Sequence, residues 1–249
     1  MNKPSAPFVP GLDVAQLLAD FGREAQTAGF RMETFGRAGA YPLLAFTKRT
    51  PGPRPRIYLS AGIHGDEPAP PRTLLEMMAA GVFDDRATWF ICPVLNPTGL
   101  AQGRREDSEQ RDLNRDYKDC RSPEVQQHTQ WLGRQPAFDL TLCLHEDWEA
   151  TGFYLYELNP RRRPSLAPAM IAAAAQLIPI EPATTIDERP VDEPGILRPV
   201  DDPLLRENWP EAIYLRQAHT SLSYTLETPS GIALAHRIGA MRAAVAAAL

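Results

Sequence analysis

Apolar residues recur along this chain in two rhythms, one helical and one strand-like. Residues 12–29 (LDVAQLLADFGREAQTAG) carry apolar side chains at helical spacing and stop on a glycine, which predicts a helix. Residues 41–47 (YPLLAFT) and 56–63 (RIYLSAGI) predict strands, with PGPRP between them as a hairpin-type turn. Residues 70–81 start on proline, keep leucine and methionine on one face and end on glycine, so a second helix is expected there. The short, nearly continuous apolar runs 88–95 (TWFICPVL) and 138–144 (FDLTLCL) predict strands covered on both faces. A helix over 123–134 separates them. A strand at 152–158 and an alanine-rich helix at 166–178 follow. Residues 181–211, rich in Pro, Asp and Glu, read as an ordered but irregular excursion. A strand at 223–227 and a helix at 234–248 close the chain. Strands alternating with helices predict an α/β fold: a single three-layer α/β/α domain over residues 1–249, built on a mixed, largely parallel twisted sheet.

Composition narrows the partners more than the fold. A chain of 249 residues suits one large domain with a real core. The net charge of -5, with no concentrated basic run, argues against nucleic acid. No window approaches the roughly 18 apolar residues of a membrane span, so no membrane partner is expected. The N-terminus, MNKPSAPFVPGLDVAQLL, lacks an apolar run of signal-peptide length. Cys92, Cys120 and Cys143 are odd in number and outside any CxxC pattern, which reads as reduced thiols and a cytoplasmic setting. The 25 prolines are scattered, as stiff loops require.

Chemistry gathers where strands end, the usual place for sites in open α/β sheets. His64 and Glu67, in IHGDE, lie three apart at a strand-to-helix junction and can turn toward one point, as a cation such as Zn²⁺ requires. Alone, HxxE equally fits a solvated loop. His145, in LTLCLHED, would complete a His₂Glu set with one position open for water. Asn114 and Arg115, in DLNRDY, form a fork suited to a planar carboxylate. Glu227 ends the strand SYTLE, and a carboxylate buried there has a raised pKa, as a general base for water should. Glu146 and Asp147 read as a solvated turn, and Arg216 and His219 as surface residues, although the latter two could instead receive an acidic side chain.

Taken in order, HGDE, NPTG, DLNRDY, LHE and LE resemble the zinc carboxypeptidase family (carboxypeptidase A-like metallopeptidases), especially its short bacterial members acting on murein peptides, across about residues 56–230. The resemblance implies one Zn²⁺ on His64, Glu67 and His145, with Asp112 orienting the first histidine. It assigns Asn114 and Arg115 to a substrate's terminal carboxylate, Arg105 (or Arg104) to the scissile carbonyl, and Glu227 to the base that deprotonates water. The family's substrate-binding tyrosine has no clear counterpart, since Tyr214 and Tyr224 both lie nearer the glutamate than usual. A metallocarboxypeptidase acting on a small peptide with a free carboxylate is therefore expected. The alternative is an N-acyl amino acid deacylase similar to succinylglutamate desuccinylase and aspartoacylase, which share the metal arrangement. NPTG and the long step from Arg105 to Asn114 favour the peptidase. A binding scaffold without activity would not need the ligands, the arginines and Glu227 together.

Overall fold

A computed structural model of the chain describes residues 11–200 and 202–249; the start of the N-terminal segment lies outside the described residues. In chain order the elements are α1 (Val14–Thr27), β1 (Arg31–Ala38), β2 (Tyr41–Lys48), β3 (Arg56–Ser60), α2 (Ala69–Ala79), β4 (Thr88–Cys92), α3 (Pro97–Gln102), α4 (Pro123–Leu132), β5 (Leu140–Asp147), β6 (Tyr154–Leu158), α5 (Ala167–Ala174), β7 (Thr185–Ile186), β8 (Arg189–Pro190), β9 (Ile196–Leu197), α6 (Glu211–Ala218), β10 (Ser223–Pro229) and α7 (Leu234–Ala247). Their starts follow local chemistry. Asp13 caps α1 by accepting from the Gln16 amide, and α2, α3 and α4 each carry proline in the first turn, where its missing N–H costs nothing.

Eight strands form one mixed sheet in the order β1-β2-β4-β3-β5-β10-β6-β9. The central four, β4-β3-β5-β10, are parallel, and β2 and β6 flank them antiparallel. This overturns the hairpin expected through PGPRP: β2 bonds β1 and β4, while β3 lies parallel to β4 and β5. The true hairpin partner is β1. Its residues, RMETFGRA, are mostly exposed or half-buried, so no apolar alternation announces it. Gly39, at φ 56°, makes the tight turn between the two.

Side chains alternate across the sheet and divide the interior into two cores. Ile57, Leu59, Trp89, Ile91, Leu142, Leu144, Tyr224 and Leu226 face α1, α2, α5 and α7. Tyr58, Phe90, Cys92 and Cys143 face α4 and α6. Several elements went unread in the sequence, among them β1, the short α3 that begins in NPTG, and α6, which begins at the last residue of the irregular stretch. That stretch also contains the small β7–β8 hairpin and β9, which joins the sheet edge. No helix among the described residues is long and apolar enough to cross a membrane. The three cysteines are unpaired.

Candidate active site

Register on the α4/α6 face builds the site. In β5, Leu140, Leu142 and Leu144 point into the first core, so Thr141, Cys143 and His145 point the other way. His145 is paired with Glu227 on β10, and Glu227 in turn with Tyr154 on β6, so these three share one face and one row. His64 and Glu67 reach the same spot from the loop joining β3 to α2.

There His64 Nδ1 lies 2.5 Å from one oxygen of Glu67 and His145 Nδ1 lies 3.0 Å from the other. The three donor atoms fall within 4.8 Å of one another, and all three side chains are buried. Two imidazole nitrogens and a carboxylate converging in a buried pocket fit a Zn²⁺ ion with one position left open. His64 Nε2, which has no hydrogen-bond partner of good geometry, faces Asp112 at 3.4 Å. A proton held on Nε2 by that carboxylate would leave the Nδ1 lone pair for a metal. Burial raises the Glu67 pKa, but the two histidines outweigh it and hold this carboxyl well below the usual range.

Arg105 closes one side of the pocket. Its Nε donates to Asp112 at 3.0 Å and its Nη1 lies 3.2 Å from His64 Nδ1. Arg104 is exposed, and of the two arginines it is Arg105 that lines the cavity. NPTG holds that arginine's backbone: Asn96 caps α3 through Gly99 and donates to the Arg105 carbonyl at 3.2 Å. A Cβ on Gly65 would sit 2.0 Å from the Gly99 carbonyl carbon, and one on Gly99 would sit 2.4 Å from the Glu106 carbonyl oxygen, so neither position has room for a side chain. Asn114 Oδ1 accepts the Glu211 amide at 2.9 Å, which commits its oxygen and leaves the Nδ2 hydrogens to donate. Arg115 lies beside it, and both line one cavity of about 690 Å³ with His64, Glu67, His145 and Glu227.

Burial pushes the Glu227 carboxyl well above the usual carboxylate range, partly offset by His145. Tyr154 and Tyr156 also line this cavity, donating to Asp147 at 2.9 Å and to Asp187 at 2.7 Å. Asp187 sits at the tip of the β7–β8 hairpin, where it and Glu188 both have positive φ, as two-residue hairpin turns require. Sequence reading missed both tyrosines; strict alternation in YLYEL, set opposite SYTLE, was the available signal. Tyr214 packs on Tyr117 and His219, and Tyr224 faces the opposite core, so neither lines the cavity.

Two expectations need correction. Glu146 is not in a solvated turn. As the residue after His145 it points to the opposite face, where it is buried, accepts the Ala69 amide at 2.5 Å and pairs with Arg237 of α7. Asp147 is half-buried, because Tyr154 covers it. His219 is also buried, against Phe138 and Tyr214, rather than on the surface.

Likeness to known proteins agrees with this geometry. No curated protein matches the sequence. Among solved structures, a candidate metallopeptidase of Shewanella amazonensis superposes with a TM-score of 0.83 at 26% identity, covering 94% of this chain and 91% of that one. A second candidate metallopeptidase, from Shewanella denitrificans, gives 0.84 at 22% identity, with 98% and 97% covered. A metallo-carboxypeptidase of Burkholderia cenocepacia shares the fold at 0.69 and 20% identity, over 95% of this chain and 69% of that one. Residues 53–192 match the succinylglutamate desuccinylase/aspartoacylase catalytic domain, a span that contains every site residue named above except Glu227 and the residues of α6, β10 and α7. With more than half of its length inside that match, the chain belongs to the succinylglutamate desuccinylase/aspartoacylase catalytic-domain family and is a metallohydrolase.

Proposed function

We propose that the protein is a zinc-dependent metallocarboxypeptidase that hydrolyses the amide bond next to the free carboxylate of a small peptide. One observation carries this reading: the His64–Glu67–His145 cluster, Glu227 and the Asn114–Arg115 pair line the same cavity. Asn114 Nδ2 and the Arg115 guanidinium bind the substrate's terminal carboxylate and set the scissile bond at a fixed distance from the cluster. Zn²⁺ bound at His64, Glu67 and His145 supplies Lewis acidity toward water and the scissile carbonyl. Glu227 accepts the proton of the attacking water and returns it to the leaving amine. Arg105, held by Asp112, stabilises charge developing on the carbonyl oxygen.

A second reading is supported by the family match: an N-acyl amino acid presents the same arrangement, an amide beside a free carboxylate, so a deacylase would use the same residues in the same roles. The two separate in one experiment, in which zinc-loaded protein is assayed in parallel on C-terminal dipeptides, murein tripeptide and N-acyl amino acids. Preferential release of a C-terminal residue from peptides supports the first reading. Preference for N-acyl amino acids replaces it with the second. Failure to hydrolyse either class sinks both.

A further inference from the structure

Beside the catalytic cavity a second one, of about 530 Å³, opens where β6 ends. The two share Leu158 and Pro199 as a common wall. Leu158 pairs with Ser223, four positions before Glu227 on β10. At about 3.3 Å per strand residue, the groove therefore starts roughly 13 Å from the catalytic row. Four arginines line it: Arg162 and Arg163 from the loop after β6, Arg198 after β9, and Arg216 on α6. Among the described residues a single acid, Glu157, lines it with them.

That acid is fully occupied. Glu157 accepts from Arg198 Nε at 2.7 Å, Ser165 at 2.9 Å, Tyr224 at 3.0 Å and Asn159 at 3.1 Å. Arg198 is thereby neutralised, and it also pairs with Glu193. Arg163 donates to the Asp139 carbonyl and meets no acid among the described residues. The Arg162 and Arg216 guanidinium groups have no partner among the described residues. Among the described residues, three positive charges without an acidic partner thus share one groove in a chain whose net charge is -5. Such a concentration costs self-repulsion unless an anion relieves it.

The loop that presents them is held in advance. Asn159 brackets Arg163, accepting its amide at 2.9 Å and donating to its carbonyl at 2.7 Å. Arg162 adopts φ 50°, with its amide on the Asn159 carbonyl at 3.0 Å. A pre-set loop lowers the ordering cost of binding, and guanidinium forks match the planar or tetrahedral oxygens of carboxylates and phosphates. We propose that this groove is a second anion-binding site for one carboxylate or phosphate group, carried by a free small anion or by the far end of a ligand seated in the catalytic cavity.

The site is tested by titrating zinc-loaded protein with inorganic phosphate at constant ionic strength while following backbone amides by NMR. Saturable shifts at Asn159, Arg161, Arg162, Arg163 and Arg198 are expected. Arg162→Ala with Arg216→Ala should weaken this binding by about tenfold or more, the worth of charge-assisted hydrogen bonds. Arg161→Ala, an exposed neighbour that does not line the groove, should leave it unchanged. Absence of saturable shifts in the groove, or equal affinity in the double variant, would overturn the site. A long α,ω-dicarboxylate then tells the two sources apart. Shifts in both cavities with a single Kd assign the anion to a cleft ligand, and shifts in the groove alone assign it to a free anion. None of these readouts depends on which amide the enzyme cleaves.

Discussion

Glu227 draws its character from its row on the sheet. Paired with His145 on one side and Tyr154 on the other, its carboxylate is forced into the space above the cluster, where burial favours the protonated form. Replacing it with glutamine keeps the shape and hydrogen-bonding reach but removes proton acceptance. Glu227→Gln should therefore retain zinc and fold while kcat falls by about 10²–10⁴, the usual worth of general base catalysis. Zinc analysis and steady-state kinetics on one verified substrate check it, and wild-type kcat in the variant would remove Glu227 from the mechanism. The role proposed for Arg115 differs, since it is toward a part of the substrate that does not react. Arg115→Ala should raise KM strongly for substrates with a free carboxylate and leave amidated analogues nearly unaffected. An equal loss on both would show that the arginine does not read the carboxylate.

Among the elements, β5 ties chemistry to architecture. One strand sends His145 into the pocket and the next residue, Glu146, to the opposite face, where it joins the start of α2 to α7. Because Glu67 lies two residues before Ala69, this buried carboxylate fixes one candidate ligand relative to the other. Glu146→Ala should lower stability by about 3–5 kcal/mol, the cost of leaving a buried charge such as Arg237 unpaired. It should also weaken zinc by about 10–100-fold, the range seen for groups supporting metal ligands. Chemical denaturation and chelator competition measure the two effects. Unchanged zinc affinity in a folded variant would confine Glu146 to stability. Much of this was legible in the sequence: most of the order of strands and helices, the clustering of His64, Glu67 and His145, and the nearness of Asn114 and Arg115 to that cluster. Glu146 was not, because a run such as LTLCLHED reads as uniformly apolar until the alternation of its leucines is noticed. β1 hid for the opposite reason, its side chains being mostly polar, and α6 hid because its eight residues begin only where a proline-rich, loop-like stretch ends.

Across the whole molecule, a buried polar chain links the second core to Asn114 in the cavity wall. Tyr117 donates to His128 Nδ1 at 2.7 Å, and His128 Nε2 meets the Tyr58 hydroxyl at 3.0 Å. Tyr58 donates in turn to Glu211, whose own amide orients Asn114. Burial pushes the His128 pKa down to about 3, helped by His219. Unfolded, the same group titrates near 6.5, so below that pH the unfolded chain binds a proton that the native protein does not. Its contribution is complete above pH 6.5 and is lost as pH falls from there toward 3. Between pH 7 and pH 5 the wild type should lose about 2 kcal/mol more stability than His128→Gln, at 1.36 kcal/mol per unit. Parallel slopes in denaturant titrations at the two pH values would contradict it. The claim on which everything else depends is the metal, and zinc content after reconstitution and dialysis tests it most directly. One zinc per chain is expected in the wild type, and its loss in His145→Ala, with circular dichroism showing both proteins folded. Stoichiometric zinc retained by His145→Ala, or none held by the wild type, would contradict the account.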